Sequence, residues 1–144
     1  MELTKAKQLA EDLISRHPDL VGWSIQFSSR ARRRLGLCIY TRKVIQLSCA
    51  FIELNDHALI AEAVNHEIAH ALTPGHGHDA VWKRMAVVVG APPIRCVNNA
   101  VLPPGRWVAV CPTCARVFSM YRRPKPRKRW CLRCGRSNGI IKFR

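Results

Sequence analysis

The chain has 144 residues, 48% of them hydrophobic, and a formal net charge of +15. That composition excludes a disordered chain, and the longest apolar stretch, 85–94, is broken by Gly90, Pro92 and Pro93, which excludes a membrane-spanning helix. The charge is unevenly placed: residues 1–79 hold nine basic and nine acidic side chains, and residues 80–144 hold fifteen basic and no acidic ones. A field of one sign on that scale calls for a polyanionic partner, nucleic acid first, with a solubilising tail as the bland alternative.

Taken in order, residues 3–16 carry Leu3, Leu9, Leu13 and Ile14 at helical spacing, and His17-Pro18 stops them. This first segment is amphipathic and carries acids, so it does not read as a signal peptide, and the expected location is the cytoplasm, with the nucleoid, or the nucleus of a eukaryotic host. Trp23, Ile25 and Phe27 alternate with polar residues as in a half-buried strand. Arg30 to Arg34 is a basic run that reads as a solvated loop. Leu35–Tyr40 and Val44–Ser48 give two more strands, and the three together suggest a meander. Asn55 or Asp56 can cap a helix ending near Leu72, where Thr73-Pro74-Gly75 intervenes. Asp79 can cap another, with Val81, Trp82, Met85, Val88 and Val89 facing inward and Gly90 as the stop. Proline-rich stretches at 91–93 and 102–105 lead to a segment of different character. The expected division is therefore 1–105 and 106–144.

The first helix-borne motif is His66-Glu67-Ile68-Ala69-His70. Residues four apart on an α-helix are offset by about 40°, so both imidazoles leave one face and can share one Zn2+. Glu67 lies roughly 100° from His66, beside that face, where it can take a proton from an attacking water without ligating the metal. A third ligand is needed, and no glutamate follows Glu67 to supply it. His76 has metzincin spacing from His70, but Thr73 stands where that pattern has glycine. His78 stands at the start of the following helix. Spacing alone leaves His76 and His78 both open.

Cys111-Pro-Thr-Cys114 and Cys131-Leu-Arg-Cys134 form two C-x2-C pairs, sixteen residues apart. Seven cysteines without a secretory signal are not a disulfide framework, and four thiolates leave no open coordination position, so these pairs predict a structural Zn2+ in a zinc ribbon. Cys38, Cys49 and Cys96 have apolar neighbours and read as small buried hydrophobes. Between the pairs, Arg122, Arg123, Lys125, Arg127, Lys128 and Arg129 form a proline-stiffened basic run, expected at the tip of the ribbon hairpin. These cations can contact phosphate, and Tyr121 and Trp130 can stack on bases, single-stranded DNA included; nothing there reads sequence.

His66-Glu67-Ile68-Ala69-His70-Ala71-Leu72, followed by Gly-His-Gly-His78-Asp-Ala-Val-Trp82-Lys, resembles the SprT-like (Spartan-type) metalloprotease family over roughly residues 1–90. The resemblance implies an α+β, small zincin-like (minigluzincin-type) domain with active-site helices. It also implies a third ligand that opens a helix with an aromatic residue four positions later, which favours His78 with Trp82 over His76. With it come a zinc peptidase using Glu67 as general base and a DNA-binding C-terminal ribbon. The implied cofactors are one catalytic and one structural Zn2+; the implied partners are DNA and proteins bound or crosslinked to it, with no membrane. The chain is more like the short bacterial or phage forms than the long eukaryotic ones with a partner-binding tail. The alternative is a DNA-binding zinc-ribbon protein whose first domain is inactive or a non-peptidase zinc hydrolase.

Overall fold

The computed structural model describes residues 1–144, and the chain divides into two compact units, Met1–Pro103 and Pro104–Arg144. The architecture is mixed α+β with small sheets.

The first unit opens with helix α1 (Leu3–Ser15), which buries Ala6, Ala10, Leu13 and Ile14 along one stripe. Strands β1 (Ser24–Ser28), β2 (Gly36–Ile39) and β3 (Val44–Ser48) form one sheet in the order β1-β3-β2. The expected meander is therefore corrected. β2 and β3 are an antiparallel hairpin through a tight turn at Tyr40–Arg42 and left-handed Lys43, but β1 pairs parallel with β3, Ile25 opposite Ile45. The physical reason is burial: β3 has Val44, Ile45 and Leu47 all within 3% of full burial, and the most apolar strand takes the centre. β2 is left at the edge.

Ser48 ends β3 and does three things. Its hydroxyl accepts from the Phe51 N–H at 3.2 Å and so caps a short helix α2 (Cys49–Leu54), unforeseen in the sequence; the same oxygen donates to the Ala31 carbonyl at 2.6 Å; and its N–H donates to the Leu35 carbonyl at 2.9 Å. The arginine run before β2 is thus tied to the sheet.

Asp56 caps α3 (His57–Leu72), accepting from the Leu59 N–H. Asp79 caps α4 (Ala80–Val89), accepting from Val81 and Trp82, and Gly90 closes it at φ 84°. α4 buries Trp82 and Ala86; Val88, expected inward, is 76% exposed, because the buried stripe runs through Ala86 instead. The chain after α4 returns to α2, where the buried Asn55 side chain donates to the Val101 carbonyl and accepts from the Val101 N–H, both at 2.8 Å.

In the second unit, β4 (Trp107–Val110) pairs with β5 (Val117–Met120), and β6 (Arg129–Trp130) with β7 (Ile140–Ile141), with a single helical turn, α5 (Gly135–Asn138), between the last two strands. The basic run 122–128 is not the tip of one hairpin. It joins β5 to β6, which belong to different two-stranded sheets. Cys111, Cys131, Ala109 and Ile141 are the buried centre of this unit.

Candidate functional site

His66 and His70 leave α3 one turn apart, and His78 arrives after the Thr73-Pro74-Gly75 turn. That turn is secured by the buried Thr73 hydroxyl, which donates to the Ala69 carbonyl at 2.6 Å. The three Nε2 atoms converge: His78 is 3.1 Å from His66 and 3.2 Å from His70. Two imidazoles on one tetrahedral zinc, with bonds of about 2.0–2.1 Å, stand about 3.3 Å apart, so the trio fits that ion. Burial pushes His66 down to about 4, helped by His70 and His78, and lowers the other two as well; neutral imidazoles are the ligating form. Trp82, fully buried, lies against all three rings at centroid distances of 4.6–5.1 Å and packs with Ala69 and Ala86. Its indole N–H has no hydrogen-bond partner.

His76 is not in the trio. Its Nδ1 pairs with Asp79 Oδ2 at 2.8 Å, beside the cap of α4.

Glu67 is only 8% exposed, against edge strand β2. Burial pushes its carboxyl up to about 7; the Cys38 backbone N–H and the Arg34 charge hold it from rising further. Gly36 is opposite it. Cys38 and Tyr40 continue that strand into the site: burial, then the charge of Glu67, pushes the Cys38 thiol up to about 12, and the Tyr40 hydroxyl donates to the His70 carbonyl at 2.8 Å. Cys96, expected to be buried, is exposed, and with Cys38 it lines the same cleft. That cleft has a volume of about 690 Å3, a wall including Leu37, Val97, Ala100 and Leu102, and the three histidines and Glu67 inside. Gly36, Tyr40 and Arg34 went unnoticed as site residues because their role depends on strand β2 lying along α3, a pairing no local spacing announces.

The four cysteines Cys111, Cys114, Cys131 and Cys134 bring their sulfurs within 4.8 Å of one another, and Cys114 is 3.8 Å from Cys131. A tetrahedron of Zn–S bonds of about 2.3 Å has edges of about 3.8 Å, so this donor set also fits zinc. None of the seven cysteines is in a disulfide. Backbone N–H groups of Cys114 and Thr113 hold the Cys111 thiol down at about 7, toward the ligating thiolate.

Arg122, Arg123, Lys125, Arg127 and Lys128 are exposed, and Arg129 and Trp130 are half-buried in β6. Arg123 lies over Trp107, Arg129 over Phe143, and Arg136 over Trp130 at 4.4 Å from the ring centre. A cavity of about 560 Å3 is bounded by Arg127, Arg129 and Trp130 together with Arg116, Phe118 and Phe143. The last three lie outside the basic run and are brought to it by the folding of the second unit.

Three convergent imidazoles on a helix and the turn after it, with a carboxylate alongside, are compatible with a metalloprotease-type domain. A family model described as the SprT-like family matches residues 3–100, and the chain belongs to the SprT-like family. This is generally a family of zinc metallopeptidases. No curated protein and no solved structure matches the chain.

Proposed function

We propose that the chain is a zinc metalloendopeptidase acting on proteins bound or crosslinked to DNA, with a zincin-like peptidase domain over residues 1–105 and a DNA-binding zinc ribbon over 106–144. The observation that carries the peptidase reading is the Nε2 triangle of His66, His70 and His78 with Glu67 buried beside it. In this reading these histidines would hold the catalytic Zn2+, and Cys111, Cys114, Cys131 and Cys134 the structural one. Bound zinc would supply Lewis acidity and lower the pKa of a water to about 7.

The chain's own residues account for the rest. Glu67, raised toward neutrality by burial, accepts a proton from the attacking water and delivers it to the departing amine nitrogen. The Cys38 N–H orients its carboxylate. Trp82 holds the three rings in place and excludes water from beneath them.

The DNA reading is supported by the exposed cations 122–128 and by the Arg129 Nε, which is buried without a partner beside the cavity its side chain lines. Phosphate contacts there carry no sequence preference, and the aromatic residues suit unpaired bases.

The test is cleavage of a DNA-binding protein with and without single-stranded DNA, comparing wild type with Glu67→Gln. Cleavage requiring both Glu67 and DNA supports the whole reading. Cleavage indifferent to DNA leaves the peptidase and removes the ribbon from its control. No cleavage by protein holding two zinc ions overturns the peptidase.

A further inference from the structure

The cleft holds a single carboxylate, Glu67, and it is buried; at the edge stand the exposed side chains of Arg33, Arg34 and Arg95. The ion pairs of Lys5 with Glu2, Lys7 with Glu11 and His76 with Asp79 involve neither Arg34 nor Arg95. Arg34 and Arg95 are therefore cations outside any close ion pair. They come from different parts of the chain, Arg34 from the approach to β2 and Arg95 from the stretch after α4. Both side chains line the same cleft as His66, Glu67, His70 and His78, so both guanidinium groups face a chain laid in it. Nor is Arg34 on a loose loop, since Ser48 hydrogen-bonds Ala31 and Leu35 on either side of it.

The interior of a peptide backbone carries no net charge, so within a bound segment it is the side chains that can match or oppose these cations. An aspartate or glutamate accepts charge-assisted hydrogen bonds from guanidinium, whereas lysine or arginine is repelled. The apolar wall of Leu37, Val97, Ala100 and Leu102 suits the rest of a polypeptide and offers nothing to a phosphate chain.

We propose that Arg34 and Arg95 are specificity-determining residues that select protein segments carrying aspartate or glutamate beside the scissile bond and reject basic ones. This rests on the peptidase reading. It also fits a substrate lying on DNA: its basic segments are occupied by phosphate, and its acidic segments remain for the cleft.

The experiment uses the full zinc-loaded chain and matched peptides that differ only in Glu, Gln or Lys flanking one cleavable bond. Wild type should cut the Glu peptide over its Gln counterpart by about tenfold in kcat/KM for each arginine engaged. The ratio should fall to near one in Arg34→Gln/Arg95→Gln and turn in favour of Lys in Arg34→Glu/Arg95→Glu. Ratios within one variant cancel any effect on Glu67 itself, and circular dichroism checks folding. Equal cleavage of the three peptides by wild type, or a Glu preference that survives the double variant, overturns the proposal.

Binding separates its failure from that of the peptidase reading. If wild type cuts nothing, fluorescence anisotropy of the labelled Glu peptide on Glu67→Gln, with and without the arginine substitutions, still decides. Arginine-dependent binding keeps the acidic-segment selection while the peptidase reading falls. Absent or arginine-independent binding overturns the selection too. A single-stranded oligonucleotide that loses affinity in the double variant while the peptide does not makes the rim a phosphate contact and likewise overturns it.

Discussion

Gly36 and Glu67 occupy one space: a Cβ on Gly36 would lie 2.8 Å from both Cγ and Oε1 of Glu67. The edge strand can lie along α3, with the Cys38 N–H on the carboxylate, only because position 36 has no side chain. Gly36→Ala should therefore displace Glu67 and reduce kcat roughly hundredfold while both zinc ions are retained. Peptide kinetics alongside metal content check this; full activity in Gly36→Ala would show that Glu67 has freedom the close contact denies it.

His78 and His76 are two residues apart and differ completely in placement. His78→Ala should lower the metal content from two zinc ions to one and abolish activity, because a helix pair of histidines alone is an incomplete ligand set. His76→Ala should keep both ions and lose only the contact to Asp79. Elemental analysis of the two purified variants distinguishes them.

The metal-free protein should carry a pH-dependent penalty at Glu67. Its folded pKa, about 7, lies above the ordinary 4.5 because burial disfavours the charged form. Stability from this group is thus complete below about pH 4.5 and is lost as pH rises through about 7. Glu67→Gln should stabilise the metal-free protein at pH 8 by an amount on the order of 3 kcal/mol and leave it unchanged at pH 4. Urea unfolding at the two pH values in the presence of chelator measures the difference.

Asn55 holds one wall of the cleft from behind. Its amide bonds both backbone groups of Val101 and also donates to the Phe51 carbonyl at 2.7 Å. Asn55→Ala should cost about 2–3 kcal/mol, since buried backbone groups lose their partners. It should raise KM more than it lowers kcat, since the wall moves and Glu67 does not. A change in kcat alone would mean that the wall carries no substrate contact.

The metal-site elements were more legible than their surroundings, for a physical reason. A helix fixes the relation of His66 to His70 within one turn, and cap residues such as Asp56 and Asp79 act within three residues, so short spacing carries that information. The paired cysteines are equally local. What failed was non-local. The parallel pairing of β1 with β3 depends on a crossover that brings Ile25 opposite Ile45 across twenty residues, and alternation within each strand is the same in a meander. Helix α2 was hidden because its cap, Ser48, is also the last residue of a strand. Arg34 is exposed in a loop, as its basic run suggests, but its place at the cleft is not legible locally, because its neighbours' ties to Ser48 span thirteen to seventeen residues.

Trp82 has a consequence for observation. An indole within about 5 Å of three imidazoles is a light-emitting group set against the place where an ion would enter. Its emission will depend on whether those rings are protonated, neutral or engaged, and a paramagnetic ion such as Co2+ placed among them will extinguish it. Replacing the other tryptophans, Trp23, Trp107 and Trp130, by phenylalanine removes their background and leaves the emission of Trp82 alone. The first domain thereby carries its own optical gauge of occupancy, and metal entry and loss can be followed in time without a label or a substrate.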